Sequence, residues 1–144
     1  MVYVADEGSE FDAPIEVVWK YILGGENHDT QHKTTRNPKF EGISDITMIY
    51  SAERNFRGKW APDRMRISTF APVSVVIEWL DGVLAGSKLV YVYSPRGTKT
   101  GIDVYGEFTS KTLAPAEVEA AAREWLESEF RDDAPALRAL GKGK

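Results

Sequence analysis

His28 and His32 stand four residues apart in the run His28-Asp29-Thr30-Gln31-His32. On a helix that spacing puts both imidazoles on one face, where they could hold a metal ion or exchange protons. Asp29 is one methylene shorter than the glutamate that acts as base in a zinc-protease helix, and no third ligand is identifiable. No metal, cofactor or catalytic residue is therefore assigned, and the plain reading is a solvated polar helix at the rim of a cavity. Arg54, Arg64 and Arg66 carry charge into strand-like sequence. An inward Arg54 or Arg66 could anchor a carboxylate or phosphate. Outward arginines would make surface pairs across neighbouring strands, which stabilise little, and that is the expectation. Gly58-Lys59-Trp60 lacks the earlier glycine and the following hydroxyl residue of a phosphate loop, and no Gly-x-Ser-x-Gly nucleophile pattern occurs. The sequence offers no paired buried carboxylates of the kind an acid–base enzyme uses.

The elements around these residues can be read from spacing. Residues 2–11 form an extended first strand ending on Phe11. Pro14 suits the first position of a helix, because the N–H it lacks would be unsatisfied there. Ile15, Val18, Trp19 and Ile22 recur at helical spacing, and Gly24 and Gly25 end the run. A polar stretch from Glu26 to Lys39 has room for a short helix around His28–Lys33, stopped before Pro38. From Ile43 to Ser110 β-branched and aromatic residues alternate between turn signals, predicting antiparallel strands near 44–58, 62–71, 74–81, 86–96 and 99–110. The first of these has the length for two strands joined by a bulge near Glu53. Ala116 to Phe130 reads as a long helix with Val118, Ala122, Trp125 and Leu126 on one face. Pro135 is expected to end or kink it, and residues 141–144 are expected to be a disordered tail after one domain spanning 1–140.

Strand parity then selects the side chains that face the core. Ile102, Val104 and Phe108 alternate with Asp103, Tyr105 and Glu107. An even-length loop at Pro95–Lys99 would set Tyr93 opposite Ile102 and Tyr91 opposite Val104, whereas an odd loop would turn Val90 and Val92 inward. Val75, Ile77 and Trp79 point in, with Met65 and Ile67 beside them. Ile46, Met48 and Tyr50 complete the wall. The residues expected to contact a bound molecule are Met48, Tyr50, Met65, Trp79, Tyr91, Tyr93 and Trp125. The mouth is expected between the last helix and the loops at Asp81–Gly86 and 54–63.

Composition narrows the function. The chain has 144 residues, no cysteine and a net charge of −4 from 22 acids and 18 bases. One domain of this size buries roughly 68–70% of its unfolded surface without staples. Without cysteine, disulfides and thiolate chemistry are excluded. An acidic balance argues against nucleic acid as partner. No apolar run approaches the ~20 residues of a membrane span, and no basic signal region opens the chain. A cytoplasmic monomer is the expectation.

The order of strand, Phe11-x-Ala13-Pro14-x-Glu16-x-Val18-Trp19 helix, meander with turns at Pro72, Gly82 and Gly97, and last helix carrying Trp125 resembles the helix-grip (SRPBCC) superfamily over about residues 2–135. That group comprises START domains, birch-pollen-type allergens and polyketide cyclase/dehydratase-like proteins. The resemblance implies an α+β fold: a curved antiparallel sheet of six or seven strands round a long C-terminal helix, with two short helices after the first strand. It also implies a cavity for a lipid, sterol or polyketide-like molecule. No universal catalytic motif is carried over. A binding protein for a small apolar molecule is the leading expectation, ahead of a cyclase or dehydratase-type enzyme and a co-chaperone-like interaction domain. An enzyme should bring a convergent pair of titratable groups together inside the cavity, and a binder should have an almost wholly apolar cavity with one or two anchors.

Overall fold

From residue 35 onward, short links between strand-forming runs leave the chain no room to cross over, so each later strand pairs with the one before it, while the strand that opens the chain pairs with the last. The computed structural model describes residues 1–24, 32–56 and 58–142. Among these residues β1 (Val2–Phe11) leads into α1 (Ile15–Ile22), then β2 (Thr35–Gly42), β3 (Thr47–Phe56), β4 (Lys59–Phe70), β5 (Ser74–Asp81), β6 (Lys88–Arg96), β7 (Lys99–Phe108) and α2 (Pro115–Lys142). The seven strands make one antiparallel sheet in the order β1-β7-β6-β5-β4-β3-β2. This is the expected curved sheet with a long C-terminal helix.

β6 and β7 show how a turn sets the face. Arg96 pairs with Lys99, leaving Gly97 and Thr98 as a two-residue turn, and Gly97 takes φ +66°, the region such hairpin turns require. The even loop puts Tyr91 opposite Val104 and Tyr93 opposite Ile102. Likewise Met65 pairs with Trp79 and Ile67 with Ile77. Tyr50 pairs with Met65 and Met48 with Ile67. One continuous wall of inward side chains results.

α1 closes one end of the sheet. Val17, Val18 and Trp19 are buried, and Ile15 and Ile22 pack against the core from its edge. The Trp19 indole donates to the Pro72 carbonyl at 2.8 Å and its ring meets Tyr93 edge-on. α2 lies against β1, β7 and α1. Its buried residues Val118, Ala121, Ala122, Trp125, Ser128 and Leu137 form one stripe. Trp125 packs edge-on against Trp79, with centroids 5.2 Å apart, and Phe130 stacks on Phe11.

Three expectations about elements change. Residues 35–42, read as part of a polar stretch, form β2, because the β3 edge offers backbone partners that a mostly exposed strand can use without an apolar face. β3 ends at Phe56, Ile46 lies outside it and is exposed, and β3 runs past Glu53 in unbroken register with β4, the irregularity beside Glu53 lying in β2 between Arg36 and Lys39. Pro135 does not end the last helix, which continues through Gly141 and Lys142. Gly141 sits so close to Asp12 that a Cβ there would lie 2.6 Å from the Asp12 carbonyl oxygen. The expected helix around His28–Lys33 falls mainly outside the described residues; His32 and Lys33 are not helical.

Candidate functional site

Between the concave face of the sheet and α2 lies a cavity of about 330 Å³. Met48, Tyr50, Met65, Tyr91, Tyr93 and Trp125 line it, with Ile67, Val75, Ile77, Ile102 and Val104 between them. Trp79 lines a neighbouring cavity of about 160 Å³, on the far side of Trp125. The aromatic side chains lie in two groups: Tyr91 stacks beside Tyr93 and tilts against Trp125, and Phe40 tilts against Tyr50.

The mouth lies elsewhere than expected. Most exposed lining residues of the larger cavity, among them Phe40, Gly42, Ser44, Asp45 and Ile46, cluster around the β2–β3 hairpin, joined by Leu23 after α1 and Phe130 on α2, with Asp6 on β1 apart from them. That hairpin exists only because β2 pairs with β3, so overlooking β2 misplaced the opening. The loop around Leu84 instead bounds the smaller cavity.

One end of the larger cavity is polar. Trp125 and Leu137 define the buried stripe of α2, and helical periodicity places Glu129, Asp132 and Asp133 between them on the same stripe. His32 meets all three: Nδ1 lies 2.8 Å from Glu129 Oε2 and 3.5 Å from Asp132 Oδ2, and Nε2 lies 3.3 Å from Asp133 Oδ1. The His32 side chain is only 9% exposed, so this residue is not on a solvated polar helix. Burial alone would pull its imidazolium down, but the hydrogen bond and charge of Glu129, with Asp133 and Asp132, outweigh that and push it up to about 9. His28 lies outside the described residues. The Tyr21 hydroxyl donates to Asp133 Oδ1 at 2.7 Å. Burial and that carboxylate hold the phenol far above its ordinary value.

Arg54 points inward, contrary to the surface pairing expected of it. Its Nε donates to Asp63 Oδ2 at 3.0 Å and its Nη1 to Glu129 Oε1 at 3.3 Å, with the guanidinium over the Trp125 ring. Burial works against the cation, yet Glu129 and Asp63 more than compensate. Burial also raises Asp63, with Arg54 opposing it. The guanidinium is thus already held by two carboxylates and is not a ready anchor for an anion. Arg66 follows the expectation: it faces outward and pairs with Glu78. Tyr91 and Tyr93 are buried deeply enough that both phenols are held neutral well above their usual range.

The sequence reading missed Tyr21, His32 as a buried residue, Asp63, Glu129, Asp132 and Asp133. The signals were present. Continuing the α2 stripe from Val118, Ala122 and Trp125 by a four-residue step reaches 129, and a further step of three or four reaches 132 or 133. Continuing the β3 parity from Met48 and Tyr50 reaches Arg54.

A seven-stranded antiparallel sheet curved round one long C-terminal helix, with a cavity between them, is the helix-grip fold. Solved structures share it over nearly the whole chain. The Zhui aromatase/cyclase from Streptomyces sp. R1128 superposes with a TM-score of 0.78 at 10% identity, covering 98% of this chain and 93% of that one. A START superfamily protein from Mycobacterium smegmatis gives 0.77 at 12% identity, over 96% and 98%. Ara h 8.0201 gives 0.71 at 14% identity, over 99% of both chains. No protein-family model matches the chain, and no curated protein matches it in sequence. Likeness at this identity establishes the fold. Among the described residues no helix is long and apolar enough to cross a membrane.

Proposed function

We propose that the chain binds a small, largely apolar molecule in the cavity between the sheet and α2. The observation that carries this is a continuous wall of aromatic, methionine and branched side chains around about 330 Å³, opening between Leu23, Phe40, Ile46 and Phe130. Ligand cavities span roughly 300–1,000 Å³, so the guest is small. Apolar surface leaving water supplies the drive, at roughly 25 cal/mol per Å². Tyrosine hydroxyls and the polar end then orient the guest. Native mass spectrometry of the protein from its own host tests this directly, through a co-purified mass lost on unfolding. Apo protein at every preparation, with no saturable response to a panel of apolar guests, counts against it.

A second reading is an acid–base enzyme of the cyclase or dehydratase type. It is favoured by the convergence of Tyr21, His32, Glu129 and Asp133 at one end of the cavity, which a simple binder does not need. The likeness to a protein described as an aromatase/cyclase supports the same reading. Turnover of a bound guest that Asp133→Asn abolishes, with binding retained, would favour the enzyme over the binder.

A further inference from the structure

The polar end of the cavity is more acidic than apolar binding requires. The ion pairs there set the carboxylates of Asp63, Glu129, Asp132 and Asp133 against two cations, Arg54 and His32. Tyr21 and the Lys33 amide add neutral donors to Asp133 and Asp132. These carboxylate side chains are between 6% and 17% exposed, and buried charge is stable only when compensated.

We propose that His32, Glu129 and Asp133 form a binding site for a divalent first-row transition-metal ion, with zinc as the test case. Their donor atoms lie within 4.8 Å of one another. Zinc bonds to nitrogen and oxygen at about 2.0–2.2 Å, so the ligand atoms of a tetrahedral site stand roughly 3.3–3.6 Å apart, and side-chain rotation closing the widest pair by about 1–1.5 Å completes the set. Nε2 of His32 and Oδ1 of Asp133, at 3.3 Å, already have the separation of neighbouring ligands. Glu129 and Asp133 stand four apart on α2, so the helix presents both to the imidazole.

The surrounding groups suit ligands rather than a bare ion-pair cluster. Metal-bound histidine usually gives its other N–H to a carboxylate; Nδ1 has Glu129 Oε2 at 2.8 Å and Asp132 Oδ2 at 3.5 Å, so Asp132 is placed to take that N–H once Glu129 turns to the ion. Tyr21 fixes Asp133, and Arg54 fixes the other oxygen of Glu129. One imidazole and two carboxylates match zinc or manganese, whereas calcium needs six to eight oxygens. All three residues line the cavity, so the remaining coordination positions would face the guest.

The test uses the full chain, stripped with a chelator and titrated calorimetrically with Zn²⁺ alone, with Ca²⁺ as the control ion. The expected result is one Zn²⁺ per chain at micromolar affinity or tighter, with no saturable Ca²⁺ binding. Asp133→Asn should weaken zinc at least about tenfold, and Tyr21→Phe, which alters only the group behind Asp133, by about tenfold or more. Thermal melts check that both variants fold, and their zinc-induced rise in Tm should shrink in step. Two results overturn the proposal: no saturable zinc binding by the folded wild type below about 1 mM, or wild-type affinity retained in folded Asp133→Asn. The first leaves the cluster as an ion-pair network, and the second assigns the zinc to surface groups.

Discussion

The Tyr21 hydroxyl donates to Asp133 Oδ1 at 2.7 Å, joining the last turn of α1 to α2 across 112 residues of sequence. A hydrogen bond to a charged group contributes about 1.5–3 kcal/mol when buried, and Tyr21 is only half-buried. Tyr21→Phe keeps the ring and removes the bond. It should lower stability by about 1–2 kcal/mol, seen in urea as a lower midpoint with unchanged slope. An unchanged midpoint would mean the bond is not maintained in solution.

Arg54 holds Asp63 and Glu129 inside the fold. Removing one partner of a buried pair strands the others, at a cost of about 3–5 kcal/mol. Arg54→Met, which retains most of the packing over Trp125, should therefore destabilise by that much. Adding Asp63→Asn should recover part of the loss. Independent, additive losses in the double variant would show that the two side chains are not coupled.

How far the sequence revealed this arrangement can be judged from two strands and a helix. Tyr91 and Tyr93 could be placed because a hairpin turn and a period of two fix the face together, and the Gly97 turn has the needed length. β2 was illegible because its residues are mostly exposed and it exists through backbone pairing with β3, which leaves no apolar alternation to read. The α2 acids were legible in position but not in kind. Periodicity places Glu129, Asp132 and Asp133 inward, but their composition argues outward, and only the partners His32, Tyr21 and Arg54 resolve the conflict. Those partners come from a loop, from α1 and from β3, and no local pattern links them.

Alkaline pH should unfold the domain through its buried phenols. Tyr91 and Tyr93 have pKa values raised by burial above the ordinary value of 10.0, so the folded state keeps protons that the unfolded state releases. Their contribution is fully present below pH 10 and is lost as pH rises from there towards the folded values. A melt series from pH 8 to 11.5 should show a first fall in Tm up to about pH 9, as His32 loses its proton, and a second, steep fall above about pH 10 as the phenols ionise. Tyr91→Phe should flatten that fall, and an identical pH profile in the variant would exclude Tyr91 as its source.

α2 supplies one whole side of the core, through Val118, Ala122, Trp125 and Leu137. Ending the chain after Thr112 would expose the concave face of the sheet. The loss should exceed the ~5–15 kcal/mol that holds a domain together, so the truncated chain should show no cooperative melt. A cooperative transition would make the helix an appendage.

The cavity itself can be tested by filling it. Ile67 lines the empty space beside Met48 and Ile77 and is only partly buried, so a larger side chain there enters void rather than packed core. Trp79 is the poorer choice: its side chain is buried against Trp125 and Phe108, and truncating it to alanine should cost about 3–5 kcal/mol by cavity formation. Ile67→Trp should leave stability unchanged or slightly raised, since occupying a void adds contacts without exposing surface. It should weaken any guest of the cavity by at least about tenfold, or 1.4 kcal/mol, because guest and indole compete for the same volume. Titration of wild type and variant with apolar guests, followed by tryptophan emission, measures this. If a guest binds both proteins equally, it sits outside the cavity, and the exposed rim of Phe40, Ile43 and Ile46 becomes the surface to mutate next.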